Sequence, residues 1–186
     1  MIWFTSDFHL YHKNCLMFDN RPFTTLGEMH DKLIRNWNEV VTNADTVYYL
    51  GDVSFGRPDK TRDILYSLNG NIVLIKGNHD QRIERFVDRF SSVHDYLELK
   101  KERIVMSHYP SCTWNWMHYN SIMLHGHCHG NLRPAYSADG VELTCKRLDV
   151  GCMNHNYYPI SIDEVHELVD NIPLVTIDHH KPKDGC

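Results

Sequence analysis

The sequence lacks the features that mark membrane and secreted proteins. No apolar run among its 186 residues approaches the roughly 20 residues that cross a bilayer. Its amino-terminal stretch has neither the basic start nor the long apolar core of a signal peptide. None of the six cysteines belongs to a Cys-x-x-Cys pair. We therefore expect a cytoplasmic protein with no membrane partner and with reduced thiols rather than disulfides.

An excess of basic residues is also missing. The chain has 19 Lys and Arg against 24 Asp and Glu, which gives a formal net charge of −5. No global basic field therefore attracts nucleic acid, although a local basic patch would still allow binding. The length and the 42% of hydrophobic residues are those of an ordinary globular domain. We predict one domain over residues 1–178 and a frayed tail over 179–186, and the sequence indicates no oligomeric state.

Three short apolar segments in the first half are each followed by polar side chains. Residues 2–6, 46–50 and 72–75 are predicted strands, and helical spacing of apolar residues over 28–41 and 58–68 separates them. Strands that alternate with helices predict an α/β fold with a parallel sheet. Since the carboxyl ends of parallel strands meet at one edge, the polar groups that follow them should form a ligand site.

The second half is predicted to be rich in strands. A short helix over 81–90 precedes strands over 93–99, 103–107, 122–126 and 141–150, and a helix over 163–169 and a last strand over 174–177 follow. Two of these strands end in histidine, at His108 and at the segment His125 to His129. These histidines are therefore candidates for the same ligand site.

The side chains that follow the strands have the chemistry of metal ligands. They are Asp7, His9, Asp52, Asn78, His79, His108, His127 and His129. Oxygen and imidazole groups without a thiolate cluster suit Mn²⁺, Fe, Zn²⁺ or Ni²⁺. The set is too large for one tetrahedral ion. Two ions that share a carboxylate would use it well, and such pairs catalyse in-line displacement at phosphorus.

These residues also fall into five ordered motifs. They are Asp7-Phe8-His9, Gly51-Asp52, Gly77-Asn78-His79-Asp80, His108 and Gly126-His127-Cys128-His129. The sequence thereby resembles the calcineurin-like metallophosphoesterases, whose pattern is D-x-H, G-D, G-N-H-[D/E], H and G-H-x-H. The elements D-x-H-x-x-H-x-N and R-P-F near the amino terminus resemble small bacterial and phage phosphoesterases. The resemblance implies a four-layer α/β/β/α sandwich with two mixed central sheets and a metal site at the strand carboxyl ends.

The same resemblance implies a role for each residue. One divalent ion would be bound by Asp7, His9 and His129, the other by Asn78, His108 and His127, and Asp52 would bridge them. A hydroxide held between the ions would attack phosphorus in line with the leaving group. His79 would be the general acid rather than a ligand. Asp80 would orient its neighbours.

Two further residues are candidates for binding the substrate. His12 lies close to the first motif, and a surface histidine is an equally good interpretation of it. Arg21 is a candidate clamp for a substrate phosphate, although a solvated loop arginine is the more ordinary interpretation. Trp114 and Trp116 would stack on a base or, as is more common, pack in the interior.

We predict a binuclear, metal-dependent phosphoesterase, with two Mn²⁺ preferred over Fe, Zn²⁺ or Ni²⁺. Its substrate would be a phosphodiester or phosphomonoester of small or nucleotide type. The alternative is a nuclease on the same centre, which the net charge does not favour. A protein phosphatase is less favoured because the segment after Asp52 lacks the Asp-Arg pair of that class. A catalytically inactive scaffold is less favoured because the ligands and His79 are intact.

Overall fold

Two mixed β-sheets form the centre of the fold in the computed structural model, which describes residues 1–81, 88–133 and 145–174. The first sheet has the spatial order β4 (Phe90–His94), β3 (Asn71–Ile75), β2 (Thr46–Tyr49), β1 (Ile2–Thr5) and β9 (Ile160–Ser161). Its strands are parallel except β9, which runs antiparallel to β1. The second sheet has the order β5 (Tyr96–Leu99), β6 (Ile104–Ser107), β7 (Ile122–His125) and β8 (Arg147–Asp149), and only β5 is antiparallel to its neighbour.

Four α-helices accompany the sheets in these residue ranges: α1 (Cys15–Phe18), α2 (Leu26–Val40), α3 (Pro58–Ser67) and α4 (Ile162–Val169). Helix α2 begins at Thr25 with a capping box, in which Thr25 and Glu28 each accept a hydrogen bond from the other's backbone N–H. Ser161 caps α4 in the same way. Helix α3 begins with a proline, whose missing N–H costs nothing in the first turn.

Hydrophobic cores lie on both faces of the first sheet, so its inner strand β3 is almost continuously apolar. In β3, Ile72 and Leu74 face a core shared with α2 and α3, which supply Trp37 and Leu65. The alternate residues of β3 face a second core between the two sheets, where the second sheet contributes Met106 and Leu124. Helix α4 also packs into this second core. The two sheets therefore lie face to face, with α2 and α3 on the outside of the first.

The predicted fold class is confirmed: the protein is mixed α/β with two mixed sheets. The outer face of the second sheet, formed by Val105 and Met123, packs against Trp114 and Met117. Trp114 is buried, and its indole N–H donates to the hydroxyl of Ser121 at 3.0 Å, so it packs in the interior and is not a stacking surface for a base. None of the helices within the described ranges is long and apolar enough to span a bilayer.

The chain crosses between the sheets at a point where the sequence predicted one strand. Residues 93–99 form parts of two strands, since β4 pairs with β3 and β5 pairs with β6. The single-strand prediction was wrong because continuous β propensity does not reveal a change of sheet at Asp95. The predicted helix over 81–90, the start of the strand over 141–150, the strand over 174–177 and the tail fall largely on residues outside those described.

Candidate metal centre

The predicted ligands lie in loops that directly follow strands of both sheets. Asp7 and His9 follow β1, Asp52 follows β2, and Asn78 follows β3; His108 follows β6, and His127 and His129 follow β7. Backbone hydrogen bonds join these loops. The backbone N–H of Asp7 donates to the carbonyl oxygen of Gly51, and that of His9 donates to the carbonyl oxygen of Asp52. The N–H of Gly126 donates to the carbonyl oxygen of His108, and all three distances are 3.0 to 3.1 Å. The two sheets therefore bring together residues as far apart in the chain as Asp7 and His129.

Several of these residues adopt the left-handed backbone conformation. The φ angles are 58° at Asp7, 50° at His9, 57° at Asp52, 66° at His127 and 49° at His129. Asp7 and His9 lie beyond β1, which ends at Thr5, so strand alternation does not set the directions of their side chains. Left-handed residues other than glycine cost about 1–3 kcal/mol each and concentrate at functional sites. The left-handed conformation turns the chain sharply just beyond each strand.

Three predicted ligands converge at one end of the cluster. The Nε2 atoms of His9 and His129 are 3.1 Å apart, and Asp7 Oδ1 lies 3.7 Å from the first and 3.5 Å from the second. The other oxygen of Asp7 accepts hydrogen bonds from the Ser6 hydroxyl at 2.6 Å and from the His127 N–H at 3.0 Å. Asp7 Oδ1 is buried and has no hydrogen-bond partner among the described residues.

A second group forms around Asn78. Its Oδ1 lies 3.0 Å from His108 Nε2 and 3.0 Å from His127 Nδ1. The other ring nitrogen of His108 lies 2.7 Å from the carbonyl oxygen of Leu50. A proton on that nitrogen satisfies the carbonyl and leaves Nε2 with a lone pair that faces the cluster.

Asp52 lies between the two groups. Its Oδ2 is 3.7 Å from His9 Nε2 and 3.5 Å from His108 Nε2. Its Oδ1 accepts the backbone N–H of His79 at 2.9 Å. The side chain of His79 is 44% exposed, and its Nε2 lies 3.9 Å from Asp52 Oδ2. His79 therefore borders the cluster from the solvent side.

The arrangement fits divalent metal ions. Asp7, His9 and His129 offer ligand atoms that lie within 4.8 Å of one another, and so do Asp7, Asp52 and His108. The unpartnered oxygen of Asp7 and the converging imidazole nitrogens are groups that a cation would satisfy. Carboxylate, amide and imidazole ligands suit first-row divalent ions.

Electrostatics favour a cation at the Asp7 end. Burial opposes ionisation of Asp7, but the nearby imidazoles of His129 and His9 and the hydrogen bond from Ser6 outweigh it and hold the pKa of Asp7 well below its usual range. Burial likewise opposes a charge on His129, yet the hydrogen bond to Asp19 and the nearby carboxylate of Asp7 raise the pKa of His129 to about 10. In the metal-free protein a proton on His129 supplies the positive charge that a metal ion would supply instead.

Asp80 contacts backbone rather than ligand side chains. One of its oxygens accepts the N–H groups of Asp52 and Gly77, each at 2.8 Å, and the other accepts that of Val53 at 3.0 Å. Desolvation raises the pKa of this buried carboxyl. Asp80 thus ties the loop after β2 to the loop after β3, which agrees with an orienting role.

The two candidate substrate-binding residues differ in position. The ring of His12 is half-buried and stacks on Phe55, with centroids 4.2 Å apart, and it lies 5.8 Å from the His9 ring. Burial lowers its pKa. Arg21 is only 4% exposed, and its guanidinium donates to the carbonyl oxygens of Asp7 and Phe8. Arg21 is therefore neither a solvated arginine nor a clamp at the surface.

Several residues that contact the cluster were not predicted from the sequence. Asp19 Oδ1 lies 2.6 Å from His129 Nδ1, and its other oxygen accepts from Arg21. The exposed ring of Phe55 lies 4.6 Å from that of His79, and the exposed ring of Tyr109 lies 4.5 Å from that of His127. None of these residues belongs to the five motifs.

Comparison with known proteins identifies the family. The family model for calcineurin-like phosphoesterases matches residues 1–186. The chain is 34% identical to the uncharacterized protein MJ1445 of Methanocaldococcus jannaschii over 94% of both chains. It is also similar to the crystal structure of AQ665, a protein of unknown function from Aquifex aeolicus. That similarity has a TM-score of 0.68 at 26% identity and covers 90% of this chain and 98% of the other.

The chain belongs to the calcineurin-like phosphoesterase family. With the Asp and His groups that can hold metal ions, it is a metal-dependent phosphoesterase. The family match covers the whole chain and confirms the resemblance on which the sequence analysis relied.

Proposed function

We propose that this protein hydrolyses phosphodiesters or phosphomonoesters of small or nucleotide type at a centre that binds two divalent ions. One ion position is formed by Asp7, His9 and His129, and the other by Asn78, His108 and His127. The position of Asp52 is the main support for this proposal. Its Oδ2 lies 3.7 Å from His9 Nε2 and 3.5 Å from His108 Nε2. A carboxylate in that place can serve both positions. We propose Mn²⁺ first, with Fe, Zn²⁺ or Ni²⁺ as alternatives.

The two ions, when bound, would supply Lewis acidity toward phosphoryl oxygens and lower the pKa of a water molecule. The residues around them would orient the substrate and move protons. His79 is the proposed general acid because its ring is exposed and borders the cluster. It would donate a proton to the leaving oxygen, while its backbone N–H keeps Asp52 in place.

Two exposed aromatic rings support an organic ester group in the substrate. Phe55 is 43% exposed and contacts the ring of His79, and Tyr109 is 53% exposed and contacts the ring of His127. They border opposite ends of the ligand cluster. Flat rings of this kind offer stacking surfaces for a nucleobase or an aryl group. We therefore propose nucleotide-type esters as the first substrates to test.

The test is hydrolysis by protein stripped of metal and reloaded with Mn²⁺. Bis-p-nitrophenyl phosphate and p-nitrophenyl phosphate should separate diesterase from monoesterase activity, and cyclic nucleotides, nucleotide diesters and phosphopeptides complete the panel. We expect activity that requires the metal and stops on chelation. Fast cleavage of single-stranded or plasmid DNA would instead favour the nuclease. Inactivity on the whole panel at full metal occupancy would overturn the proposal.

A further inference from the structure

The R-P-F element near the amino terminus has no role in the proposed chemistry, yet its arginine contacts the loop that carries two of the proposed ligands. Arg21, its first residue, lies in the interior at 4% exposure. Its Nη2 donates to the Asp7 carbonyl oxygen at 2.8 Å, and its Nη1 donates to the Phe8 carbonyl oxygen at 2.9 Å. A buried arginine whose donors are taken by backbone carbonyls cannot reach a substrate. It fixes the loop that carries the first two metal ligands instead.

The same guanidinium also holds a carboxylate. Arg21 Nε donates to Asp19 Oδ2 at 2.9 Å, and Arg21 Nη2 also lies 2.9 Å from this oxygen. The other oxygen of Asp19 lies 2.6 Å from His129 Nδ1. Asp19 therefore uses one oxygen for the arginine and the other for a predicted metal ligand. The contacts run from the D-x-H loop, through Arg21 and Asp19, to the G-H-x-H loop.

This chain of contacts determines which nitrogen of His129 faces the cluster. A carboxylate only accepts hydrogen bonds, so Nδ1 must carry a proton. The Nε2 atom is left to face Asp7 and His9, at 3.5 and 3.1 Å. Carboxylates that accept from a metal-binding histidine fix its ring and raise its basicity, and losing them typically weakens metal affinity about 10–100-fold.

The other group of ligands is oriented by different partners. His108 Nδ1 lies 2.7 Å from the Leu50 carbonyl oxygen, and His127 Nδ1 lies 3.0 Å from Asn78 Oδ1. Neither contact involves Asp19 or Arg21. Asp19 and Arg21 therefore contact proposed ligands of the first position only.

We infer that Asp19 and Arg21 are positioning residues that orient His129 and thereby set the metal affinity of the Asp7–His9–His129 position alone. The inference rests on the proposed two-ion centre. It gives the R-P-F element a role in metal binding rather than in substrate binding. It also makes the two positions separable by a change that touches no ligand.

The decisive variant is Asp19→Asn. An asparagine of the same size must turn its NH₂ group either toward the guanidinium or toward the Nδ1 proton, so one contact is lost. Chelated protein would be titrated with Mn²⁺ by calorimetry, and bound metal would be counted by elemental analysis. We expect two ions in the wild type. In the variant one ion should bind with wild-type affinity and the other about 10–100-fold more weakly.

The surface pair of Arg62 and Asp88 provides a matched control. The charged groups of this pair are 2.6 Å apart, and both side chains are about half exposed. Asp88→Asn removes an Asp–Arg contact outside the metal centre, so it should change the affinity for neither metal ion. Arg21→Lys is the second test variant, and it should weaken the same ion. The ammonium group of lysine cannot replace the planar guanidinium, which contacts two carbonyl oxygens and a carboxylate. If the metal-free form of this variant does not fold, as judged by circular dichroism, Asp19→Asn decides alone.

A second background assigns the affected position. In His127→Ala the proposed second position loses a ligand, so the remaining tight ion should be the one at Asp7, His9 and His129. Adding Asp19→Asn to this background should weaken that ion. Equal weakening of both ions by Asp19→Asn, or no change in either, would overturn the inference while leaving the two-ion centre intact. A wild type that binds fewer than two ions would overturn the proposed centre itself.

Discussion

A carboxylate oxygen of Asp80 accepts the backbone N–H of Asp52 at 2.8 Å. The two carboxylates have different contacts, since that of Asp52 faces the ligand cluster and that of Asp80 faces the backbone around Asp52. Together with the N–H groups of Val53 and Gly77, this contact satisfies three buried donors with one side chain. The loops after β2 and β3 are thereby fixed relative to each other.

Asp80→Asn should destabilise the protein, because an asparagine cannot accept three hydrogen bonds without turning its NH₂ group toward a backbone donor. Leaving one buried donor unsatisfied costs about 2 kcal/mol. Chemical denaturation of the metal-free protein would measure the free energy of unfolding. Asp63→Asn, on the exposed face of α3, is the control and should be neutral. A neutral Asp80→Asn would show that the three contacts do not hold the loops.

Gly77→Ala should damage the same place by a steric route. A Cβ at residue 77 would lie 2.6 Å from the backbone nitrogen of Asp52 and would also collide with its carboxylate. We expect a loss of about 1–3 kcal/mol in stability, with weaker metal binding because Asp52 is displaced. Gly27→Ala is the control, since a Cβ there has its nearest neighbour at 3.7 Å and lies in α2. Equal behaviour of the two variants in denaturation and metal analysis would contradict the prediction.

The sequence could predict which residues meet, but not the backbone that brings them together. Asp7 and His9 were predicted as ligands of one ion, and what brings their side chains together is the left-handed backbone conformation of each residue after β1. Such conformations are imposed by tertiary contacts, and Asp and His adopt them too rarely for the sequence to predict them. The order of the motifs was informative because each one follows a strand.

The orienting residues were harder to predict. Asp19 and His129 are 110 positions apart, and neither local spacing nor composition relates them. Arg21 was predicted at the surface because arginine is rarely buried unless it is paired. Its burial depends on two backbone carbonyls and one carboxylate that only the folded loops bring together. Residues whose partners are distant backbone atoms are beyond prediction from one sequence.

His79→Ala should separate catalysis from metal binding. Its imidazole is proposed to donate a proton, so kcat should fall about 10²–10⁴-fold while both ions stay bound. Steady-state kinetics on the best substrate and elemental analysis of the same samples would measure both effects. His166→Ala, an exposed histidine of α4, is the control and should leave both values unchanged. Loss of an ion from His79→Ala would show that this histidine is a ligand.

Phe55→Ala should raise KM for nucleotide-type esters more than for small esters. The exposed ring of Phe55 lies 4.6 Å from that of His79, where a stacked base would contact it. Stacking of a base on an aromatic side chain contributes about 1–3 kcal/mol. Kinetics on a nucleotide diester and on a small alkyl diester would give the two KM values, with kcat nearly constant. Tyr119→Ala, which removes another exposed ring, is the control, and equal KM changes for both diesters would argue against stacking.

The metal-free protein should lose stability as the pH rises from about 6.5 to 10. Burial opposes the charge on His129, but the hydrogen bond to Asp19 and the nearby carboxylate of Asp7 raise its pKa from 6.5 to about 10. The folded state therefore binds a proton that the unfolded state releases above pH 6.5. The stabilisation is complete below that pH and disappears as the pH rises through 10, by up to about 1.4 kcal/mol per pH unit.

Thermal unfolding in chelator at intervals across this window would measure the effect as the difference between wild type and His129→Gln, which removes the titrating imidazole but not the other ionisable groups. The difference should shrink as the pH rises. Metal affinity should rise over the same interval, because the ion must displace the proton on His129. If the difference between the two proteins stays constant with pH, the proton on His129 does not stabilise the metal-free fold, and Asp7 and Asp19 must be balanced by other groups.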